Sequence, residues 1–204
     1  MAASATARVP PVTDRLGRAP CVVFDLEYTA WQGSRERGWS GPGELREIVQ
    51  IGAVRLDPRD GWRETAALDL LVRPRVNPRL SVYFVALTGI DQARLDRHGM
   101  PPAAAIAAFA EFCRGDRAYC WGDDGRIIKN NLELNTIPDP FEPDQLVDLR
   151  TWLCGRLGLD TNGLSSGDLP AALGSAAAGP AHDALADARA IAIGLRHLPT
   201  TIGL

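Results

Sequence analysis

Two carboxylates separated by one residue end an apolar run near the start of this 204-residue chain. Residues 21–24 read Cys-Val-Val-Phe and are followed by Asp25, Leu26 and Glu27. Because side chains alternate along a strand, Asp25 and Glu27 face the same way, roughly 7 Å apart, and Leu26 faces the other way. Ionised carboxylates beside a core are costly unless they are paired, exposed or metal-bound. The pair therefore indicates a metal site, and the alternative is a strand end that surfaces into solvent.

Asp187 lies on a second candidate element, a periodic helix near the other end of the chain. It falls one helical turn from Ala184 and from Ile191, which belong to the apolar stripe of that helix. Its carboxylate is therefore expected to face inward. Neither Arg189 nor Arg196 shares that face, so a metal ion would satisfy the charge.

His182 precedes that helix, and Gly179-Pro180 ends the segment before it. Asp183 is predicted to be the N-cap of the helix. A lone histidine in such a place is often only hydrogen-bonded to the backbone. Its placement five residues before Asp187 favours a role in the same site.

Three strands are predicted to position the first pair. They cover residues 21–27, 47–56 and 65–72, with a turn at 58–61. Their connections are too short for crossover helices, which predicts an antiparallel meander.

Strands and helices then alternate along the rest of the chain. The predicted elements are a helix over 101–114, a strand over 117–121, a helix packing through Ile127, Ile128 and Leu132, a short strand over 146–148 feeding a helix that ends near 157, a brief helix over 169–173 and a last helix over 184–197. Three strands followed by β-α alternation predict an α/β fold with a mixed sheet flanked by helices.

Bulk composition limits the organisation of the chain and its partners. An apolar content of 46% in 204 residues is enough for one sizeable core, which we expect over residues 21–198, between a flexible N-terminal arm (1–20) and a short C-terminal tail (199–204). The net charge of −3 predicts a short nucleic-acid footprint, although bound divalent metals would reverse the charge of an acidic site.

Cysteine usage and hydropathy bear on location. The four cysteines form no C-x-x-C pair and lie in or beside apolar runs, as reduced core cysteines do: Cys21, Cys113, Cys120 and Cys154. A cytoplasmic location follows as the expectation. No run approaches the roughly 20 apolar residues of a membrane span, so no membrane partner is expected.

In combination, these motifs resemble the DEDDh family of 3′-5′ exonucleases. The Asp25-Leu26-Glu27 motif, a mid-chain Asp after a strand, and His182 followed by Asp187 occur in the family's order. Residues 47–54 are similar to the family's second strand, and residues 87–90 to the segment after its third. The resemblance implies a ribonuclease H-like sheet, and release of 5′-mononucleotides from the 3′ end of single-stranded RNA or DNA.

The resemblance also implies how the site would work. Two Mg²⁺ or Mn²⁺ ions would stabilise the attacking and leaving oxygens. Asp25 would bridge both ions, Glu27 and Asp187 would each help hold one, and Asp124 would bind directly or through water. His182 would be the general base, since imidazole accepts protons near neutral pH. Several relatives pair through surface helices, so a homodimer is also compatible with the resemblance.

Two departures from the family pattern leave alternatives open. Asp123 and Asp124 are adjacent candidates for the middle ligand; we favour Asp124, because Ile127 and Ile128 then anchor the helix while the acid faces the site, and Asp123 would cap the helix. Tyr28 stands where many relatives carry threonine, which affects the shape of the substrate site.

The loop over residues 31–46 combines arginines with a tryptophan. Candidate substrate-binding residues are Leu26, Tyr28, Arg37 and Trp39, with Arg35 adding charge. Stacking on an aromatic ring suits single strands of any sequence. The alternative is a solvated loop with Trp39 packed locally.

Two other classes of protein remain open. One is a nucleic-acid-binding module of this fold without turnover, and the other is a metal phosphohydrolase acting on a small phosphate ester or dinucleotide. Retention of all five site residue types argues against the first.

Overall fold

A five-stranded mixed sheet organises the chain in the computed structural model, which describes residue 16 and residues 19–198. The sheet order is β3-β2-β1-β4-β5. Strand bounds are β1 Cys21–Tyr28, β2 Ile48–Asp57, β3 Arg63–Leu71, β4 Ala118–Cys120 and β5 Leu146–Asp148. β2 runs antiparallel to β1 and β3, whereas β4 runs parallel to β1 and β5. The predicted mixed sheet with its meander is confirmed. The predicted tail, and all but three residues of the predicted arm, lie outside the described residues.

Seven α-helices accompany the sheet within the described residues. They are α1 Val82–Thr88, α2 Gln92–His98, α3 Pro102–Phe112, α4 Asp124–Asn135, α5 Arg150–Leu157, α6 Leu169–Ala172 and α7 Ala184–Arg196. The predicted bounds of α3 and α7 are right to within two residues.

Helices α1 and α2 were not predicted. The β-branched and aromatic residues of α1 have weak helix propensity. Its caps decide the structure, because the Ser81 hydroxyl accepts a 2.9 Å hydrogen bond from the Phe84 N–H. Gly89 then ends the helix with φ 71°, a left-handed conformation that glycine adopts without steric cost.

The sheet carries a hydrophobic core on each face. One core joins Val23 and Val54 to α5, α6 and α7, and the other joins Phe24 and Leu26 to α3 and α4. Residue parity along β1 places Asp25 and Glu27 on the face of Val23. The strand therefore presents both acids to the side covered by α7.

The cysteines are placed as the sequence predicts for reduced core cysteines. All four cysteines are free and buried. Within the part of the chain that the structure describes, none of the helices combines the length and apolarity needed to cross a bilayer.

Candidate active site

Glu27, His182 and Asp187 meet at one point, although the first two are 155 positions apart in the chain. One ligand atom from each lies within 4.8 Å of the others. Glu27 comes from β1, and the other two flank the start of α7. Two carboxylates and an imidazole at such distances could hold a single metal ion.

Asp25 and Asp124 lie beside this group. β4 ends at Cys120, and Gly122 turns the chain with φ 81°, a left-handed value, so that α4 starts at once and carries Asp124 in its first turn. Asp25 and Asp124 are each 7% exposed. Burial raises the pKa of the Asp124 carboxyl well above its usual range, and the charges of Asp25 and then Glu27 raise it further. Asp124 is therefore close to both strand acids.

Asp123, the alternative middle ligand, points elsewhere. It is exposed and pairs with Arg126, and a second guanidinium, from Arg46, lies 3.8 Å away. Asp123 occupies the N-cap position of α4, but its side chain makes no capping hydrogen bond. The cap expected of Asp123 is thus wrong, since the neighbouring arginines draw the carboxylate outward.

The surroundings of the clustered carboxyls raise the pKa of each of them. Burial, followed by the charge of Asp187, raises the pKa of Asp25, and burial followed by the charge of Asp25 raises that of Glu27. Burial, with Asp183 and Asp168 nearby, raises the pKa of Asp187 to about 7. Among the described residues, no Arg, Lys or His forms an ion pair with the four clustered acids. A set of oxygen donors without a cation fits hard divalent ions such as Mg²⁺ or Mn²⁺.

Glu47 shows what a buried structural acid looks like in the same molecule. Its carboxylate is 1% exposed, yet it accepts hydrogen bonds of 2.7–2.8 Å from the backbone N–H groups of Arg75, Val76 and Asn77. The Asn77 side-chain amide donates a further bond of 3.0 Å. Glu47 is therefore saturated by the protein, whereas the clustered acids are not.

His182 projects from the turn that precedes α7. It is exposed and has φ 56°, a left-handed value that is uncommon outside glycine. Within the described part of the chain its imidazole makes no hydrogen bond, so the backbone-bonded alternative is not what the structure shows. Asp183 caps α7 as predicted, since its Oδ1 accepts a 2.9 Å bond from the Ala186 N–H.

The segment 165–168 closes the site from a side that the sequence did not indicate. The Ser166 hydroxyl donates a 3.1 Å hydrogen bond to Oδ1 of Asp25. At Gly167 a Cβ atom would lie 2.8 Å from Oδ1 of Asp187, so the backbone passes directly over that carboxylate. No spacing signal in the sequence links Ser166 to Asp25.

Trp39 is packed locally, in agreement with the alternative expectation for the 31–46 loop. Its indole N–H donates a 2.9 Å bond to the Thr29 carbonyl, and its ring centroid lies 5.4 Å from that of Tyr28. The Arg46 guanidinium lies 4.7 Å over the same ring. Tyr28 and Trp39 thus form a half-buried aromatic wall, with their ring planes tilted by 58°, and Tyr28 follows Glu27 in the chain.

Arg37 and Leu26 are placed less favourably for substrate contact than expected. Arg37 forms an ion pair with Glu44 and donates a 2.9 Å bond to the Gln32 carbonyl, so its guanidinium is engaged within the loop. The Leu26 side chain is 4% exposed in the core beneath α3 and α4. The Leu26 side chain therefore offers almost no surface for contact with a substrate.

The fold and the carboxylate cluster together define the class of protein. A five-stranded mixed sheet with flanking helices, carrying acids on its first strand and on α7, is the ribonuclease H-like architecture. The chain belongs to the RNase_T exonuclease family, whose family model matches residues 22–194.

Similar proteins agree with this membership and with the DEDDh resemblance read from the sequence. The 3′-5′ exonuclease Snipper of Drosophila melanogaster is 34% identical over 95 residues, which cover 47% of this chain and 32% of the relative. ERI1 exoribonuclease 2 of Homo sapiens is 26% identical over 159 residues, which cover 74% of this chain and 20% of the relative. The chain therefore spans less than a third of either relative.

Solved structures share the fold. The nuclease domain of 3′hExo, a DEDDh family member bound to rAMP, superposes with a TM-score of 0.71 at 19% identity over 87% of this chain and 90% of that one. Exonuclease I of E. coli in complex with a dT13 oligonucleotide gives 0.64 at 18% identity, covering 88% of this chain and 40% of that one.

Proposed function

We propose that this chain is a divalent-metal-dependent exonuclease that removes 5′-mononucleotides stepwise from the 3′ end of single-stranded nucleic acid. The observation that carries the proposal is the convergence of Glu27, His182 and Asp187 beside Asp25 and Asp124. Membership of an exonuclease family and the 3′-5′ exonuclease relative support it.

The four clustered carboxylates are the residues that would hold the metal. Two bound ions would supply Lewis-acid stabilisation of the charge that develops on the phosphate oxygens. The charge of Asp187 acts on Asp25, and the charge of Asp25 acts on Asp124, so Asp25 is the carboxylate that two ions would share. Mg²⁺ and Mn²⁺ suit an oxygen-rich set of this kind.

His182 is the proposed general base. Its ring is exposed, lies against Glu27 and Asp187, and has no hydrogen-bond partner within the described residues. Such a ring is free to take the proton from the attacking water and then to release it to solvent. A positioned base of this kind accelerates hydrolysis by a factor of about 100 or more.

The wall formed by Tyr28 and Trp39 is the proposed contact for the 3′-terminal nucleoside. Tyr28 follows Glu27 directly, and the strand register shifts between the two residues. Aromatic faces hold unpaired bases of either nucleic acid. Because one structural neighbour is bound to rAMP and another to a DNA oligonucleotide, the assay must include both substrates.

Strands labelled at the 3′ or the 5′ end test the proposal directly. With Mg²⁺, the chain should release labelled mononucleotide at once from a 3′-labelled strand, and should shorten a 5′-labelled strand one nucleotide at a time. Asp25→Asn and His182→Ala should each lower the rate by about 100-fold or more. Matched controls are Asp60→Asn and His98→Ala, which change exposed residues on a turn and on α2.

The same assay separates the rival classes. Binding of strands without metal-dependent cleavage would identify a binding module. Hydrolysis of dinucleotides with no attack on longer strands would identify a small-ester phosphohydrolase. Either result would overturn the proposal.

A further inference from the structure

Gln50 is a fully buried polar residue directly opposite Glu27. The two are paired across the β1–β2 ladder, so their side chains leave the sheet on the same face. A buried glutamine needs partners for its two amide hydrogens and its carbonyl oxygen, because an unpaired polar group in a core is destabilising. The partners chosen by Gln50 lie on α7 and β3 rather than on Glu27.

All three bonding directions of this amide are used. Its Oε1 accepts a 3.0 Å hydrogen bond from the Ala184 N–H, the first residue of α7. Its Nε2 donates to Oδ1 of Asp69 at 2.9 Å and to Oδ2 of Asp183 at 3.2 Å. One side chain on β2 therefore joins β3, the cap of α7 and the first turn of α7.

Gly52 provides the second contact between β2 and the helix. It lies two residues after Gln50 on the same face, opposite Asp25. A Cβ atom at this position would fall 2.1 Å from the Leu185 nitrogen and 2.2 Å from the Ala184 carbonyl carbon. The start of α7 therefore rests on the bare strand backbone, and the Gln50 amide fixes where along the strand it rests.

Asp183 and Ala184, the residues that Gln50 holds, lie between two proposed catalytic groups in the chain. His182 immediately precedes Asp183, and Asp187 follows Asp183 by one helical turn. Glu27, their partner in the cluster, is on the neighbouring strand, opposite Gln50 itself. A shift of α7 along β2 would move His182 and Asp187 together, away from Glu27.

We propose that Gln50 is a positioning residue of the active site, which sets the distance from His182 and Asp187 to Glu27 through the N-terminus of α7. The proposal rests on the proposed function. Displacement of a catalytic group by a fraction of an ångström to an ångström lowers rates by one to two orders of magnitude. Gln50 itself contacts neither substrate nor metal in this role.

Gln50→Met, made in the full chain, tests the positioning role, and a substitution at a second hydrogen-bonded glutamine amide serves as the control. Gln145 is engaged in the same way, since its amide donates to the Cys113 and Asp116 carbonyls and its oxygen accepts from the Glu142 N–H. It lies at the opposite end of the sheet from the cluster, just before β5. We expect Gln50→Met to lower kcat about tenfold at unchanged KM, and Gln145→Met to leave kcat unchanged.

A double-mutant cycle distinguishes positioning from general loss of structure. Because part of its effect acts through His182, Gln50→Met should lower the residual rate of the His182→Ala protein by a smaller factor than it lowers the rate of the unsubstituted protein. The proposal would be overturned if the double variant lost rate by the full product of the two single losses, or if Gln145→Met lowered kcat as much as Gln50→Met.

Two further measurements keep the test independent of folding and of nuclease activity. Should Gln50→Met not fold, Gln50→Glu replaces it, because its carboxylate still accepts from the Ala184 N–H but loses both donated bonds. Adding Asp69→Asn and Asp183→Asn restores these two bonds with donor and acceptor exchanged, and should recover kcat. In the metal-free protein, the imidazole NMR signals of His182, assigned with His182→Ala, should move in Gln50→Met but not in Gln145→Met. Unmoved signals would refute the positioning role even if the wild-type chain proved not to be a nuclease.

Discussion

Ser166 donates its hydroxyl hydrogen bond to Oδ1 of Asp25 at 3.1 Å, joining the segment before α6 to the first strand. The serine is 7% exposed, so water competes little for this bond. Groups that hydrogen-bond to a metal-binding carboxylate and orient it typically change the metal affinity by about 10- to 100-fold. Ser166 therefore belongs to the proposed site as a support for Asp25.

Ser166→Ala should weaken metal binding while leaving the fold intact. Loss of the hydroxyl frees the Asp25 carboxylate to rotate, and we expect Mn²⁺ affinity, measured by calorimetry, to fall about tenfold. Ser165→Ala is the control, because the Ser165 hydroxyl bonds Asp168 instead, at 2.6 Å. Equal affinities in the two variants would count against the role of Ser166.

Gly52→Ala should destabilise the protein strongly, although it adds only one methyl group. The added methyl group would meet the backbone of α7 at 2.1 Å, and backbone cannot move aside as a flexible side chain can. We expect a loss of about 3 kcal/mol in the free energy of unfolding, measured in urea. Gly155 is an exposed position of α5, with nothing within 4 Å of the new Cβ, so Gly155→Ala should instead raise the free energy of unfolding by up to about 1 kcal/mol. Similar unfolding free energies for the two would contradict the close approach.

The sequence predicted the sheet well because strand and helix periods were clear. The apolar runs that became β1 and β2 have strong β propensity, and the stripe on α7 has a clean helical period. Helices α1 and α2 were not predicted because each is only seven residues long, and because side-chain caps, not periodicity, define them.

Pairs of site residues were predictable only where local geometry fixes direction. Strand alternation places Asp25 and Glu27 on one face whatever the rest of the chain does. Ser166 depends on where a loop crosses the sheet, and the engagement of Arg37 depends on Glu44 from the same loop. Such contacts are set by tertiary packing, which no local spacing records.

Glu47→Ala should destabilise the protein although Glu47 is outside the proposed site. Its carboxylate satisfies three backbone N–H groups at residues 75–77, and removal leaves these donors without partners. We expect a loss of about 3 kcal/mol in the free energy of unfolding, by the same urea measurement. Glu133→Ala, an exposed position on α4, should change it by less than about 0.5 kcal/mol. A small effect at Glu47 would show that water replaces the carboxylate.

The metal-free protein should lose stability as pH rises through neutrality. Burial, with Asp183 and Asp168 nearby, raises the pKa of Asp187 from 3.8 to about 7, and the pKa values of Asp25, Glu27 and Asp124 are raised as well. A folded state that binds these protons more tightly than the unfolded chain is favoured at low pH. The contribution of Asp187 is complete below about pH 4 and is lost as pH rises through about 7.

Thermal melts in chelator at about pH 5 and about pH 8 measure this effect. We expect a Tm lower by a few degrees at the higher pH, and a smaller difference in Asp187→Asn, which cannot ionise. Mg²⁺ should raise Tm more at the higher pH, because bound cations replace the protons on the clustered carboxylates. A metal-free Tm that stayed constant or rose between the two conditions would contradict the raised pKa values that burial and then mutual repulsion give the acids, and with them the main physical reason for a cation at this point in the fold.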